Sequence, residues 1–272
     1  MRIDIVIPVY NEEASLQLLW SEISQAYVNY GLHGSVIFVD DGSDDGSWSV
    51  ICALCDMHRE VVGVRLNSRT GKSGALLAGF SLCQAEYVVM MDADLQDDPR
   101  ELHKFVELFA TDVDLICGWK KARKDPWSRR FLSRGFNQMI NLMTGLTLHD
   151  HNCGFKGIRR SKLIHLDFSR GMHRFFTVMI SAADGHVVEL VVNHRPRKFG
   201  RSKYGWGRIV RGFCDFARVM WATRLGKSGI NRSQLATNRA GLQRPNFIQE
   251  VVGDPMNVVH NEGDINLNRN RV

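Results

Sequence analysis

A chain of 272 residues with 44% hydrophobic and 24% charged content is long enough to bury one large α/β core, and its composition excludes wholesale disorder. Its formal charge of +6 gathers in two blocks, one from Lys120 and Lys121 through Arg123, Lys124, Arg129 and Arg130 to Arg134, the other from Arg195 through Arg197, Lys198, Arg201, Lys203 and Arg208 to Arg211, which imply anionic partners. The six cysteines are scattered, with Cys52 and Cys55 the one close pair and no second ligand pair at zinc spacing, so a zinc site is not expected and a reduced compartment is the simpler reading.

The chain opens on Ile3 to Val9, a β-branched run read as a strand; Asp4 breaks it too early for a secretory signal. Further strands are predicted over Val36 to Val39, Val61 to Leu66, Tyr87 to Met91 and Val113 to Cys117. Between them lie segments of helix length, Ser15 to Tyr30, Trp48 to His58, Gly74 to Cys83 and Pro99 to Phe109. That alternation predicts an α/β fold with a mainly parallel sheet covered by helices. The pattern then loosens into a helix over Arg130 to Met143, a second over Met172 to Ala183 and a strand over Val187 to Val192. No run reaches the roughly 18 apolar residues of a spanning helix. After Arg224 the chain turns polar, and residues 226–272 are expected to be a disordered tail.

In open parallel sheets, ligands bind beyond the carboxyl ends of the strands. The first strand ends in Pro8-Val9-Tyr10-Asn11-Glu12, the second in Asp40-Asp41-Gly42-Ser43-Asp44-Asp45-Gly46-Ser47, the fourth in Asp92-Ala93-Asp94-Leu95-Gln96-Asp97-Asp98-Pro99. Three polar motifs therefore share one rim. Two carboxylates at the end of an apolar strand suit Mg²⁺ or Mn²⁺, which take oxygen ligands and are typically completed by substrate phosphates. Asp97 and Asp98 instead lead into the helix after Pro99. Gly71-Lys72-Ser73 and Gly226-Lys227-Ser228 look like nucleotide P-loops, but the required upstream glycines are Leu66 and Trp221, so both are rejected.

With Gly71-Lys72-Ser73-Gly74-Ala75-Leu76, Cys153-Gly154-Phe155-Lys156 and Arg197-Lys198-Phe199-Gly200-Arg201-Ser202-Lys203-Tyr204-Gly205, these segments make six ordered motifs over about residues 3–224. Together they resemble the family 2 glycosyltransferases of GT-A fold, and among them the polyprenyl-phosphate type that includes dolichol-phosphate mannosyltransferase. The resemblance implies a catalytic domain over 1–205 that transfers a sugar from a UDP- or GDP-sugar to a polyprenyl phosphate by a single inverting displacement. Pro8, Tyr10 and Glu12 are implied on the nucleotide edge, Asp41 on the base with Asp40 supporting its loop, and Asp92 with Ala93 on the ribose or sugar. Asp94 and Gln96 are implied as the protein oxygens on the metal, and Arg197 and Lys203 as ligands of the donor diphosphate or the acceptor phosphate.

A phosphate monoester, with a second pKa near 6, needs cations rather than a base. Arg123 and Arg134 are candidates from charge density alone. Where the family usually has Gly-Ser-Arg or Gly-x-Arg, this chain has Gly118-Trp119-Lys120, which makes Lys120 the positional substitute. Asp150 is a candidate base, or a group behind the metal, should the acceptor be a hydroxyl; its neighbours His149 and His151 lack a third ligand by spacing. Two other readings are a glycan or other hydroxyl acceptor on the same fold, and a catalytically silent binding protein, against which the intact Asp92, Asp94, Gln96, Arg197 and Lys203 argue.

Residues 206–225 read as an amphipathic helix, Ile209, Phe213, Phe216 and Met220 opposite Arg208, Arg211 and Arg218. Such a helix either packs on the domain or lies in an anionic membrane interface. The expectation is peripheral attachment at the cytoplasmic face of a membrane, with no nucleic-acid partner.

Overall fold

The computed structural model of the protein describes residues 1–121, 127–169, 171–198, 215–216 and 245–254, without the side chains of 127–133. Strands β1 (Ile3–Val9), β2 (Val36–Asp40), β3 (Val61–Leu66), β4 (Tyr87–Met90), β5 (Leu115–Trp119), β6 (Lys156–Arg159), β7 (Val187–Val191) and β8 (Ile248–Val252) form one sheet in the order β7-β5-β6-β4-β1-β2-β3-β8. Helices α1 (Glu13–Tyr30), α2 (Ser47–Met57), α3 (Lys72–Phe80), α4 (Leu102–Phe109), α5 (Trp127–Thr144) and α6 (Phe176–Ala182) alternate with the strands or follow them.

The central strands β1, β2 and β4 are buried on both faces, which is why they read as unbroken apolar runs. Asp4 survives inside β1 because its carboxylate accepts the amides of Ser35, Gln84 and Ala85 at 2.9, 2.6 and 2.8 Å. On α1, Leu16, Leu19, Trp20, Ile23, Ala26 and Tyr27 form the buried stripe, and Gly31, at φ 61°, ends the helix in the left-handed conformation. Helix α3 lies close on the sheet because its inner face is small. A Cβ on Gly79 would stand 2.3 Å from Val6 Cγ1, so only glycine lets α3 reach β1 at this distance.

The sheet departs from the expected pattern at three places. Strand β6 runs antiparallel between β4 and β5; Lys-Gly-Ile-Arg is too short and too basic to carry a strand signature, and its pairing comes from the two neighbours. Strand β8 pairs antiparallel with the edge strand β3, which corrects the expectation of disorder for residues 248–252 of the 226–272 tail. Strand β5 begins at Leu115 rather than Val113, because the Val113 amide turns back to the Thr111 carbonyl at 2.9 Å.

Of the 206–225 segment, Asp215 and Phe216 are described. Phe216 is buried, with ring centroids 5.7 Å from Phe136 and 6.1 Å from Phe175. This residue of the expected interfacial face therefore belongs to the core. Among the described residues no helix is long and apolar enough to cross a membrane.

Candidate active site

Strand β1 has β2 on one side and β4 on the other, and the chain builds outward in both directions from it. A crevice therefore opens at the carboxyl ends of β1 and β4, the switch point where ligands bind in such sheets. The β1–β4 ladder closes with the Met91 amide on the Val6 carbonyl at 3.2 Å. Pro8, two residues on and facing the same side, lies past the last bond of this ladder, so its missing N–H costs no pairing.

One wall is the β1 end stitched to the loop after β2. Asn11, at φ 52°, donates its amide to Ser43 Oγ at 2.9 Å and accepts the Asp44 amide at 2.9 Å, and the Glu12 amide donates to Ser47 Oγ at 3.0 Å. Asparagine tolerates this left-handed backbone. Asp40 accepts the Ser43 amide at 3.1 Å. Asp41 is buried and accepts the Thr70 amide at 2.6 Å, the Thr70 hydroxyl at 2.9 Å and the Gly71 amide at 2.9 Å. Burial pushes its carboxyl up against these bonds, which pull it down. The Arg69 guanidinium lies 3.8 Å from the centre of the Tyr10 ring, a cation–π stack.

The opposite wall is the turn after β4. Asp97, fully buried, accepts the Asp92 amide at 3.0 Å and pairs with Lys120 Nζ at 2.7 Å. Leu95 is buried at φ 62°, a backbone that costs a leucine about 1 to 2 kcal/mol. The turn is braced by Asp94, which accepts the Gln96 amide at 3.1 Å. Ala93 is buried between the two carboxylates, and Gln96 is half-buried at the rim.

Asp92 and Asp94 each have their own cation. Asp92 pairs with Lys72 at the start of α3; burial works to raise its carboxyl, and the charge and hydrogen bond of Lys72 together with the nearby Lys120 outweigh this, holding it down at about 2. Gly154 passes against this pair, where a Cβ would stand 2.5 Å from Asp92 Oδ2 and 3.1 Å from Lys72 Nζ. Asp94 lies 2.5 Å from Arg197 Nη2, yet burial and the negative Asp92 and Asp97 push its carboxyl up. Arg197 Nη1 is 3.9 Å from Glu12 Oε1, so one guanidinium spans the crevice from β4 to β1.

Arg197 reaches this place because residues 193–195, two positions before it, are zipped along the turn. The Arg195 amide donates to the Gln96 carbonyl at 3.1 Å, Arg195 Nη2 to the Asp97 carbonyl at 2.7 Å, and Asn193 Nδ2 to Asp98 Oδ2 at 3.2 Å. Asp98 also caps the short helix at Pro99, accepting the Arg100 amide at 3.1 Å.

The acceptor-side expectations fare unequally. Lys120 is corrected: it is buried, and its ammonium is committed to Asp97; burial, the largest single effect, lowers it, but the charge and hydrogen bond of Asp97 together with the negative Asp92 outweigh burial and raise it. Arg123 and Lys203 lie outside the described residues, and Arg134 is exposed on α5. Asp150 is buried and accepts the Asn152 amide at 3.1 Å. His151 bonds Thr177 Oγ1 at 2.9 Å and Asn141 Oδ1 at 2.8 Å, and burial pulls its pKa down to about 4. His149 stacks on Trp119 at 4.0 Å and meets Glu189 at 2.7 Å. Among the described residues no three His, Cys, Asp or Glu side chains form a metal cluster. The oxygens of the Asp92-to-Gln96 turn nevertheless suit a hard cation completed by substrate phosphates, since the crowding of negative charge around Asp94 is what a divalent ion relieves.

The glycosyl transferase family 2 model matches residues 4–167. The chain belongs to this family. This family 2 glycosyltransferase is 32% identical, over 86% of its length and 72% of the relative's, to undecaprenyl-phosphate 4-deoxy-4-formamido-L-arabinose transferase of Aeromonas hydrophila. It is 33% identical, over 82% and 68%, to dodecaprenyl-phosphate galacturonate synthase of Rhizobium johnstonii. Its GT-A fold matches glucosyl-3-phosphoglycerate synthase of Mycobacterium tuberculosis solved with Mn²⁺, UDP and glucosyl-3-phosphoglycerate, with a TM-score of 0.58 at 20% identity over 84% of this chain and 80% of that one. The same synthase with Mg²⁺ and UDP matches with a TM-score of 0.56 at 20% identity, over 84% and 80%.

Three residues of this glycosyltransferase site carry no role in the sequence reading. Lys72 belongs to the Gly71-to-Leu76 motif, which carries the resemblance without a role for this lysine, and its place after the third strand puts it on the rim. Arg69 had no signal beyond that same position. His173, about a hundred residues from its partner, had none: Ser73 Oγ accepts its amide at 3.4 Å and lies 2.9 Å from Nδ1. Burial, with the positive Lys72 and Arg174, pulls the pKa of the ring well below the usual histidine value and keeps it neutral.

Proposed function

We propose that this protein is an inverting, divalent-metal-dependent transferase that moves a sugar from a nucleoside diphosphate sugar to a polyprenyl phosphate. The observation that carries the reading is the end of β4, where two neighbouring carboxylates each face a separate cation, Asp92 with Lys72 and Asp94 with Arg197. The printed activities of the Aeromonas and Rhizobium relatives support the acceptor. The Mn²⁺, Mg²⁺ and UDP complexes of the Mycobacterium synthase support the donor side.

In this reading the nucleotide lies along the edge formed by Pro8, Tyr10 and Glu12 next to Arg69, with its base towards Asp41. Asp94 and Gln96 would hold Mg²⁺ or Mn²⁺, which supplies charge opposite the leaving diphosphate. Asp92, kept ionised by Lys72, accepts from hydroxyls of the ribose or the transferred sugar. An acceptor phosphate oxygen forms the new bond to the anomeric carbon from the face opposite the diphosphate. The old carbon–oxygen bond breaks with its electron pair leaving on the nucleoside diphosphate, and the anomeric configuration inverts. The phosphate is already ionised at neutral pH, so no proton has to be removed. Arg197 and Lys203 supply positive charge to the phosphates, with Arg123 and Arg134 on the acceptor approach. The acceptor places the enzyme at a membrane surface, on the cytoplasmic face.

The test is transfer of labelled sugar from a panel of UDP- and GDP-sugars to undecaprenyl phosphate with Mn²⁺, with product counted in the organic phase. Label moving to water-soluble glycans instead, or no turnover with any donor, would overturn the acceptor or the activity respectively.

A further inference from the structure

The Asp94 carboxylate, which the proposed function gives to a divalent cation, has a cation of its own. Arg197 Nη2 stands 2.5 Å from Asp94 Oδ2, and Nη1 is 3.9 Å from Glu12 Oε1 on the other side of the crevice. The guanidinium is about a fifth exposed and Asp94 about a tenth, so the pair is poorly screened by solvent. It is not held by chance contact. Residues 193–195, just before Arg197 in the chain, are fastened to the turn by the backbone bond from Arg195 to Gln96 and by the side chains of Asn193 and Arg195.

We propose that Arg197 is a place-holder for the metal: it occupies the seat between Asp94 and Glu12 until the metal arrives, and must leave Asp94 for the metal to bind there. This rests on the reading of Asp94 as a metal ligand. Two consequences follow from electrostatics. Before metal binds, the acidic turn keeps its shape, because the guanidinium offsets the mutual repulsion of Asp92, Asp94 and Asp97. Metal alone binds weakly, because it must displace an internal cation, whereas metal with a nucleoside diphosphate gives the released guanidinium new anionic partners. Arg197 is thus a positioning residue with two states, and the order of loading is written into its exchange of partners.

The experiment measures Mn²⁺ binding to the full chain without nucleotide, by electron paramagnetic resonance of free Mn²⁺, with thermal melting in chelator to show that each variant is folded. Arg197→Met should bind Mn²⁺ about tenfold more tightly than wild type, the gain expected when a seat open a tenth of the time becomes fully open. Lys198→Gln removes the same charge one residue away from an exposed position and should change binding by less than twofold. Equal or weaker Mn²⁺ binding by Arg197→Met, or an equal gain from Lys198→Gln, overturns the place-holder. Asp94→Asn separates the two levels. Mn²⁺ binding that survives Asp94→Asn overturns the assignment of the metal to Asp94 itself, while binding that needs Asp94 but ignores Arg197 overturns the place-holder alone.

Discussion

Gly154 should be the position at which one methyl group does most harm to the chemistry. Its φ lies outside the left-handed region, so alanine meets no backbone objection, and the whole effect comes from the added carbon. That Cβ would stand 2.5 Å from Asp92 Oδ2, 3.1 Å from Asp92 Cγ and 3.1 Å from Lys72 Nζ. An ordinary contact begins near 3.4 Å, so the carboxylate oxygen must retreat by about 0.9 Å and carry the ion pair with it. Displacements of this order at a reacting centre cost about a hundredfold in rate. Stability should fall by only about 1 kcal/mol, the low end for overpacking, because Asp92 and Lys72 are partly open to solvent and can move. The assay is kcat/KM for the donor at saturating acceptor, alongside thermal melting. Gly157→Ala is the control: its Cβ would meet Phe109 Cζ at 2.5 Å and Phe105 Cδ1 at 2.8 Å, so it should lower stability by about 1 to 3 kcal/mol while folded enzyme turns over normally. A Gly154→Ala enzyme within twofold of wild type would show that the placement of Asp92 against Lys72 does not matter to transfer.

Lys120→Met should cost about 3 to 5 kcal/mol in urea unfolding, because it strands the fully buried Asp97 without its ammonium; near-native stability with a raised KM for the lipid phosphate would instead restore Lys120 as an acceptor ligand. Asp98→Asn tests the fastening of residues 193–195. Burial raises the Asp98 carboxyl, but the bonds from Arg100 and Asn193 prevail and hold it down at about 2, against an unfolded value near 4. A depressed carboxyl stabilises above its unfolded pKa and loses that contribution as pH falls through the folded one. Wild type should therefore exceed Asp98→Asn by about 2 kcal/mol at pH 7, with the gap closing progressively below pH 4. A gap that does not change between pH 6 and pH 3 would show that the charge of Asp98 contributes nothing.

Several parts of this architecture were legible in residue order because they are local. Apolar runs ending in Pro8-Val9-Tyr10-Asn11-Glu12, in Asp40-Asp41 and in Asp92-Ala93-Asp94 identify buried strands and the rim they share, since a parallel strand must be apolar along its length and can turn polar only where it leaves the sheet. The family and its chemistry follow from those motifs in order. Pairings between distant segments were decided by the tertiary fold. Strand β6 exists because β4 and β5 leave a gap of one strand between them, and β8 because β3 offers an open edge; neither segment has a pattern of its own. Charge was the least legible property. Lys120, Lys72 and Arg197 are all basic residues near acidic motifs, and nothing in their spacing says which carboxylate each one meets. Folding commits Lys120 to the buried Asp97, sets Lys72 on Asp92 past a glycine, and draws Arg197 across the crevice to Asp94. A residue's type states what it can bind, while burial and the nearest opposite charge, which come only from packing, state what it does bind.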